Sequence, residues 1–283
     1  MMNSYLNFSG ISTGNGIEGR SSIFYDNKVT EKIQVRIHHV SKYNYNDGGM
    51  KILDSQFNAY LKPTAIIDSD HEAVAAYAQN ALRDAGPDPV SKAVKLYYAV
   101  RDAIWYDPYL PFYHPEHYRA SHILEKGRAF CVGKATLLCA LGRASNIPSR
   151  VGFADVRNHL ATRQLIEFLG SDLFVYHGYT EFYLKGHWRK ATPAFNLQLC
   201  QRHKVIPLEF DGLQDSIFHP FNTENRQFME YVADHGAYDD IPVTEIVAAW
   251  KNEYGDDRIQ QWIEGYEKSG GQSGHDFSQE EVV

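Results

Sequence analysis

Cys131 is the residue of this chain whose type and setting best suit a nucleophile. It follows a glycine-containing turn, Lys126-Gly127-Arg128-Ala129-Phe130, and opens a run in which Ala135, Leu138, Cys139 and Gly142 recur at helical spacing. Leu137, Leu141 and Ala144 line the adjoining rows, and Pro148 stops the run. The spacing predicts a buried helix with Cys131 in its first turn. Free backbone N–H groups and the positive end of the helix dipole favour an anion there, which would draw the thiol toward thiolate. On position alone, a small buried apolar residue is an equal reading, because free cysteines are among the most buried residue types.

His177 is the candidate base. Phe174 to Leu184 alternates as a strand, with Val175, His177, Tyr179, Glu181 and Tyr183 on its less apolar face. Lys185-Gly186 makes a two-residue hairpin turn into His187 to Thr192, ended by Pro193. With that turn Leu184 faces His187, His177 falls opposite Ala194, and Thr192 becomes its diagonal neighbour. Taken alone, His177 also reads as a half-buried strand histidine with a satisfied hydrogen bond. Glu181, on the same face, is expected to pair with Lys190 across the hairpin. The remaining histidine motif, His114-Pro115-Glu116-His117, lies in an aromatic loop from Trp105 to Tyr118. Its prolines favour a rigid loop bordering a cleft, with a metal site built on His114, His117 and a further histidine as the alternative. His38-His39 reads as a strand end.

The elements that must position these groups suit an α+β domain. The chain has 283 residues, 43% hydrophobic and 13% aromatic, enough for a packed core. A net charge of -7 without a basic cluster excludes a nucleic-acid partner. Three cysteines, at 131, 139 and 200, make neither a disulfide framework nor a four-ligand zinc site, which fits a reducing, cytoplasmic setting. No apolar run reaches the length of a membrane span. Residues 1–49 read as a poorly structured leader, native or non-native, with one short strand at Ile33, Val35 and Ile37, residues 50–267 as the catalytic domain, and residues 268–283 as a disordered tail. Ser69 with Glu72 fits a capping box opening a first helix that ends at Gly86-Pro87, and a second helix opens at Pro89. Arg150 to Val156 reads as a strand, residues 157–172 as a polar helix or loop, and Cys200 to Phe221 as strand-like pieces. Arg226 to His235 and Val243 to Tyr254 read as helices.

In this order the motifs carry a resemblance. Leu124, Gly127-x3-Cys131-x3-Ala135-x2-Leu138, Leu141-x-Arg143-Ala144-x2-Ile147-Pro148-x-Arg150-x-Gly152, His177-x3-Glu181-x-Tyr183 and Trp188-x4-Pro193 resemble the transglutaminase-like superfamily over roughly residues 60–200. The resemblance implies a papain-like core, with a nucleophile helix packed on an antiparallel sheet, Cys131 as nucleophile and His177 as base. It implies an aspartate where this chain has Thr192. Asn196 competes with Thr192 to orient His177, since an amide does so in papain-like enzymes. The implied activity is hydrolysis of an amide or peptide bond through a Cys131 thioester, without cofactor or metal. Hydrolysis is expected over crosslinking because the sequence marks neither calcium sites nor a second-substrate domain. The alternative is a catalytically weak or inactive binding module of the same fold.

Overall fold

The computed structural model describes residues 57–271 and 274–280. The leader strand and His38-His39 lie outside the described residues. The elements are α1 (Glu72–Ala81), α2 (Pro89–Ala103), β1 (Trp105–Tyr106), α3 (Ala120–Lys126), β2 (Arg128–Ala129), α4 (Cys131–Ala144), β3 (Ser149–Asn158), α5 (Arg163–Leu169), β4 (Leu173–Leu184), β5 (His187–Ala191), α6 (Leu197–Arg202), β6 (Met229–Tyr238), α7 (Val243–Tyr254) and α8 (Asp256–Ser269). Four of the strands form one antiparallel sheet in the order β5-β4-β3-β6, while β1 and β2 make a short parallel pair. Among the described residues no helix is long and apolar enough to cross a membrane.

The central helix is α4, buried from Val132 to Arg143. It is apolar on all sides because it packs on β3 and β4 with one flank and on α1, α2 and α3 with the others. Leu137, Leu138 and Leu141 are fully buried, each stabilising the fold by about 1.5–3 kcal/mol relative to exposure. Gly142 lets the helix approach the sheet: a Cβ there would meet Ser149 Oγ at 2.2 Å and the Phe182 ring at 2.6 Å. Arg143 ties the far end down, donating from Nε to the Ser149 carbonyl (3.0 Å), from Nη1 to Lys62 (2.8 Å) and from Nη2 to Asp239 (2.6 Å). Ahead of the nucleophile helix, α3 ends at Gly127 in the left-handed region (φ 64°), which turns the chain into β2 and aims it at Cys131.

The hairpin has the expected register. Leu184 pairs with His187 and Glu181 with Lys190, around Lys185 and Gly186 at φ 48° and 84°. Four readings are corrected. The N-cap of α1 is His71, whose Nδ1 accepts from Ala73 N (3.2 Å), so Ser69 caps nothing. Residues 200–221 form no strand beyond two isolated bridges, Ser216 to Ala191 and Phe221 to Gln227. The segment read as a helix at 226–235 is the edge strand β6. It follows β3 through two register shifts and carries Gly236 at φ 80°, so its apolar residues lose the period of two and imitate a helix. The tail is ordered where described: α8 runs to Ser269, and Phe277 and Glu280 are both buried. One aromatic and one carboxylate anchor a stretch whose composition is otherwise that of a disordered chain.

Candidate active site

The thiol of Cys131 stands at the N-terminus of α4, where Phe130 supplies no side-chain cap and the first-turn N–H groups stay free. The N–H groups of Gly178, Val132 and Cys131 itself bear on the sulfur and favour its anion. Gly178 reaches this position because it lacks a side chain; a Cβ would lie 2.8 Å from Val132 Cα. Burial outweighs these donors and pushes the thiol up to about 11. The lowered pKa expected from the helix terminus is therefore not realised: the sulfur is enclosed by apolar groups, and no cation adds to the N–H groups. Cys139 and Cys200 are buried more completely and are pushed by desolvation up to about 11 and 12.

His177 neighbours Gly178 on β4 and is only 5% exposed. Its ring lies 4.8 Å from that of Phe218, and its Nε2 is buried without a hydrogen-bond partner. Desolvation lowers its pKa to about 3. The imidazole lines an enclosed cavity of about 30 Å³ with Tyr106, Phe195, Phe218, Phe228 and Phe277; Cys131 is not among the lining residues. In this state thiol and imidazole are both neutral across the physiological range.

Neither orienting candidate hydrogen-bonds to His177. Asn196 is fully buried and wholly engaged elsewhere: Oδ1 accepts from Tyr106 N (2.7 Å), and Nδ2 donates to the carbonyls of Arg101 (2.6 Å) and Ile104 (2.8 Å). It fastens the end of α2 and cannot orient His177. Thr192 is 1% exposed, and its Oγ1, like His177 Nε2, has no hydrogen-bond partner. The Tyr231 phenol is near enough to feel that hydroxyl electrostatically without a bond of proper geometry. The facing of His177 and Ala194 does not form. The ladder stops at Ala191, where the chain bridges to Ser216 and Pro193 brings no N–H to continue it.

The Transglutaminase-like superfamily profile matches residues 75–193, from within α1 to the proline after Thr192. That segment, less than half of the chain, is similar to the transglutaminase-like superfamily. A comparison with curated proteins found no match. Among solved structures, a proposed cysteine protease from Cytophaga hutchinsonii is similar at 15% identity and a TM-score of 0.40, over 67% of this chain and 56% of that one. A proposed protease from Parabacteroides distasonis is similar at 16% identity and a TM-score of 0.33, over 51% of this chain and 26% of that one. The chain thus spans about half and a quarter of those two structures.

Several superfamily motif residues turn out to be scaffolding. Arg150 pairs with Glu181 (2.5 Å) and lies 4.0 Å over the Trp188 ring, which locks β3, β4 and β5 together. Glu181 is therefore not the partner of Lys190, which reaches Asp234 (3.3 Å) and the Tyr179 ring instead. Sequence reasoning missed Lys134, which is fully buried on α4; its Nζ donates to the carbonyls of Arg101 (2.8 Å) and Ile104 (2.6 Å) beside Asn196. An isolated lysine inside an apolar run gave no signal of that contact. In the aromatic loop, His117 Nδ1 accepts from His114 N (3.2 Å), and among the described residues no group of three ligands could hold a metal ion. The loop does border a cleft, of about 800 Å³, lined also by Arg128, Ala129 and Phe130 just before the nucleophile.

The depressed imidazoles set an acid limit on stability. Below the ordinary histidine range the unfolded chain takes up a proton at His177 that the folded chain refuses until about 3. Stability therefore rises with pH across that window and is lost as pH falls through it, by up to a few kcal/mol for this ring. His117, lowered to about 4, and His203 add in the same direction. His177→Gln should flatten the fall in unfolding free energy between about pH 6.5 and 4 measured in urea; a slope identical to wild type would contradict the neutral, buried ring.

Proposed function

We propose that the protein is a cysteine-dependent acyl-transfer enzyme that hydrolyses an amide or peptide bond. The observation that carries this reading is the placement of Cys131: among the three cysteines it alone is a residue not fully buried, and it stands at a helix N-terminus with its sulfur against the N–H of the residue that follows His177. In the reaction the Sγ proton passes to His177 as sulfur attacks the carbonyl carbon. Free N–H groups at the start of α4 take the oxyanion. The C–N bond then breaks, the imidazolium protonates the leaving amine, and a thioester remains on Cys131. Water, losing a proton to His177, attacks the thioester and releases the acid. A neutral thiol and imidazole make this general-base transfer, not a preformed ion pair, the starting state.

One observation favours a second reading, a catalytically weak or silent binding module: the unpartnered His177 Nε2 and Thr192 Oγ1, with no charged group among the described residues acting on the imidazole. Hydrolysis of a peptide-amide library separates the two. Cys131→Ala should abolish release of the amine at unchanged melting temperature, whereas equal release by wild type and variant would leave only the binding module.

A further inference from the structure

The seven residues from Gly274 to Glu280 are held as a bound peptide would be held. Phe277 is buried with its ring 5.5 Å from Tyr106 and 5.6 Å from His203. Glu280, also buried, puts Oε1 2.8 Å from the Tyr109 hydroxyl and Oε2 2.5 Å from that of Thr162, both of which donate to it. The backbone is recognised as well. The Arg202 guanidinium donates to the carbonyls of Ser278 and Gln279 (3.0 Å to the latter), and His203 Nε2 lies 3.3 Å from that of Glu280. His275 stacks on Tyr109 at 4.5 Å. Side chains thus catch main-chain carbonyls that no helix or sheet satisfies, as in capture of an extended peptide.

The position of this segment matters as much as its contacts. Gly274 and His275 line the large cleft beside Phe130, the residue before Cys131, while Phe277 lines the enclosed cavity of His177. The segment therefore runs between the open cleft on the nucleophile side and the buried base. A carboxylate enclosed by two hydroxyls, without a cation, is a poor core contact but a specific recognition device, since both donors are spent on one acidic group.

We propose that the groove formed by Tyr106, Tyr109, Thr162, Arg202 and His203 is a peptide-binding subsite that residues 274–280 fill in cis, and that it selects peptides bearing an aromatic residue followed three positions later by a carboxylate. This deepens the acyl-transfer reading by naming its substrate class. A peptide in trans must displace the tail, so its apparent affinity is reduced by the fraction of molecules in which the groove is open.

The probe is a fluorescein-labelled synthetic peptide of residues 274–280, read by anisotropy against the full chain carrying Cys131→Ala, so that turnover plays no part. Adding Phe277→Ala and Glu280→Gln to that chain should tighten binding by about tenfold or more, and a peptide with alanine for its phenylalanine should lose about tenfold. Equal affinity of both chains, or of both peptides, overturns the proposal. Should the double variant unfold, hydrogen exchange on the Cys131→Ala chain decides. Millimolar peptide should speed exchange at residues 274–280, and unchanged exchange overturns the proposal. Failure of these binding tests leaves the chemistry at Cys131 standing, and absence of that chemistry leaves the binding result standing.

Discussion

Asn196→Ala should lower the unfolding free energy by about 3 kcal/mol or more, among the largest effects of any single substitution here. The amide satisfies one buried N–H, that of Tyr106, and two buried carbonyls, those of Arg101 and Ile104. Lys134 still reaches both carbonyls in the variant, but the Tyr106 N–H has no substitute there. An orphaned buried donor costs about 1–3 kcal/mol, to which the lost volume and the weakened carbonyl contacts add. Urea unfolding checks the figure. The folded fraction should react at Cys131 at the wild-type rate, because Asn196 has no capacity left for His177. A loss of stability below about 1 kcal/mol together with slowed Cys131 chemistry would return the orienting role to Asn196.

Alkylation of Cys131 by iodoacetamide should climb about tenfold per pH unit between about pH 7 and 10, a thousandfold in all, with no plateau near neutrality. Burial pushes the thiol up to about 11 and the imidazole down to about 3, so no ion pair forms between them and the thiolate fraction simply follows pH. Cys139 and Cys200, 0% and 2% exposed, should stay unlabelled in the folded chain. Thr192→Asp places a negative charge where the resemblance implies an aspartate. It should stabilise the imidazolium, bend the profile toward a plateau near neutrality and raise the rate at about pH 7 by about tenfold or more. A wild-type plateau at neutral pH would mean that the ion pair already exists.

Much of this was legible in the sequence where one local signal dominates. The helical run closed by Pro148, the Lys185-Gly186 turn and the alternation of β4 fix the nucleophile helix and the hairpin register, because periodicity and turn chemistry are local properties. The acidity of Cys131 was not legible: a helix terminus can be read from sequence, but the apolar shell that outweighs it assembles from distant segments. Asn196 and Lys134 converge on the end of α2 from separate parts of the chain, a meeting that no spacing encodes. The edge strand β6 failed for a different reason, since its two register shifts erase the period on which strand recognition rests. The tail failed because composition averages over the two residues that anchor it, Phe277 and Glu280.

The central claim, that Cys131 carries an acyl group with His177 as its base, is tested most directly by mass spectrometry of protein quenched in acid during turnover of p-nitrophenyl acetate at alkaline pH. The account predicts one acetyl group on the peptide containing Cys131, formed about a hundredfold or more slowly in His177→Ala. Acetylation spread evenly over Cys131, Cys139 and Cys200, or a Cys131 adduct forming equally fast without His177, would contradict it.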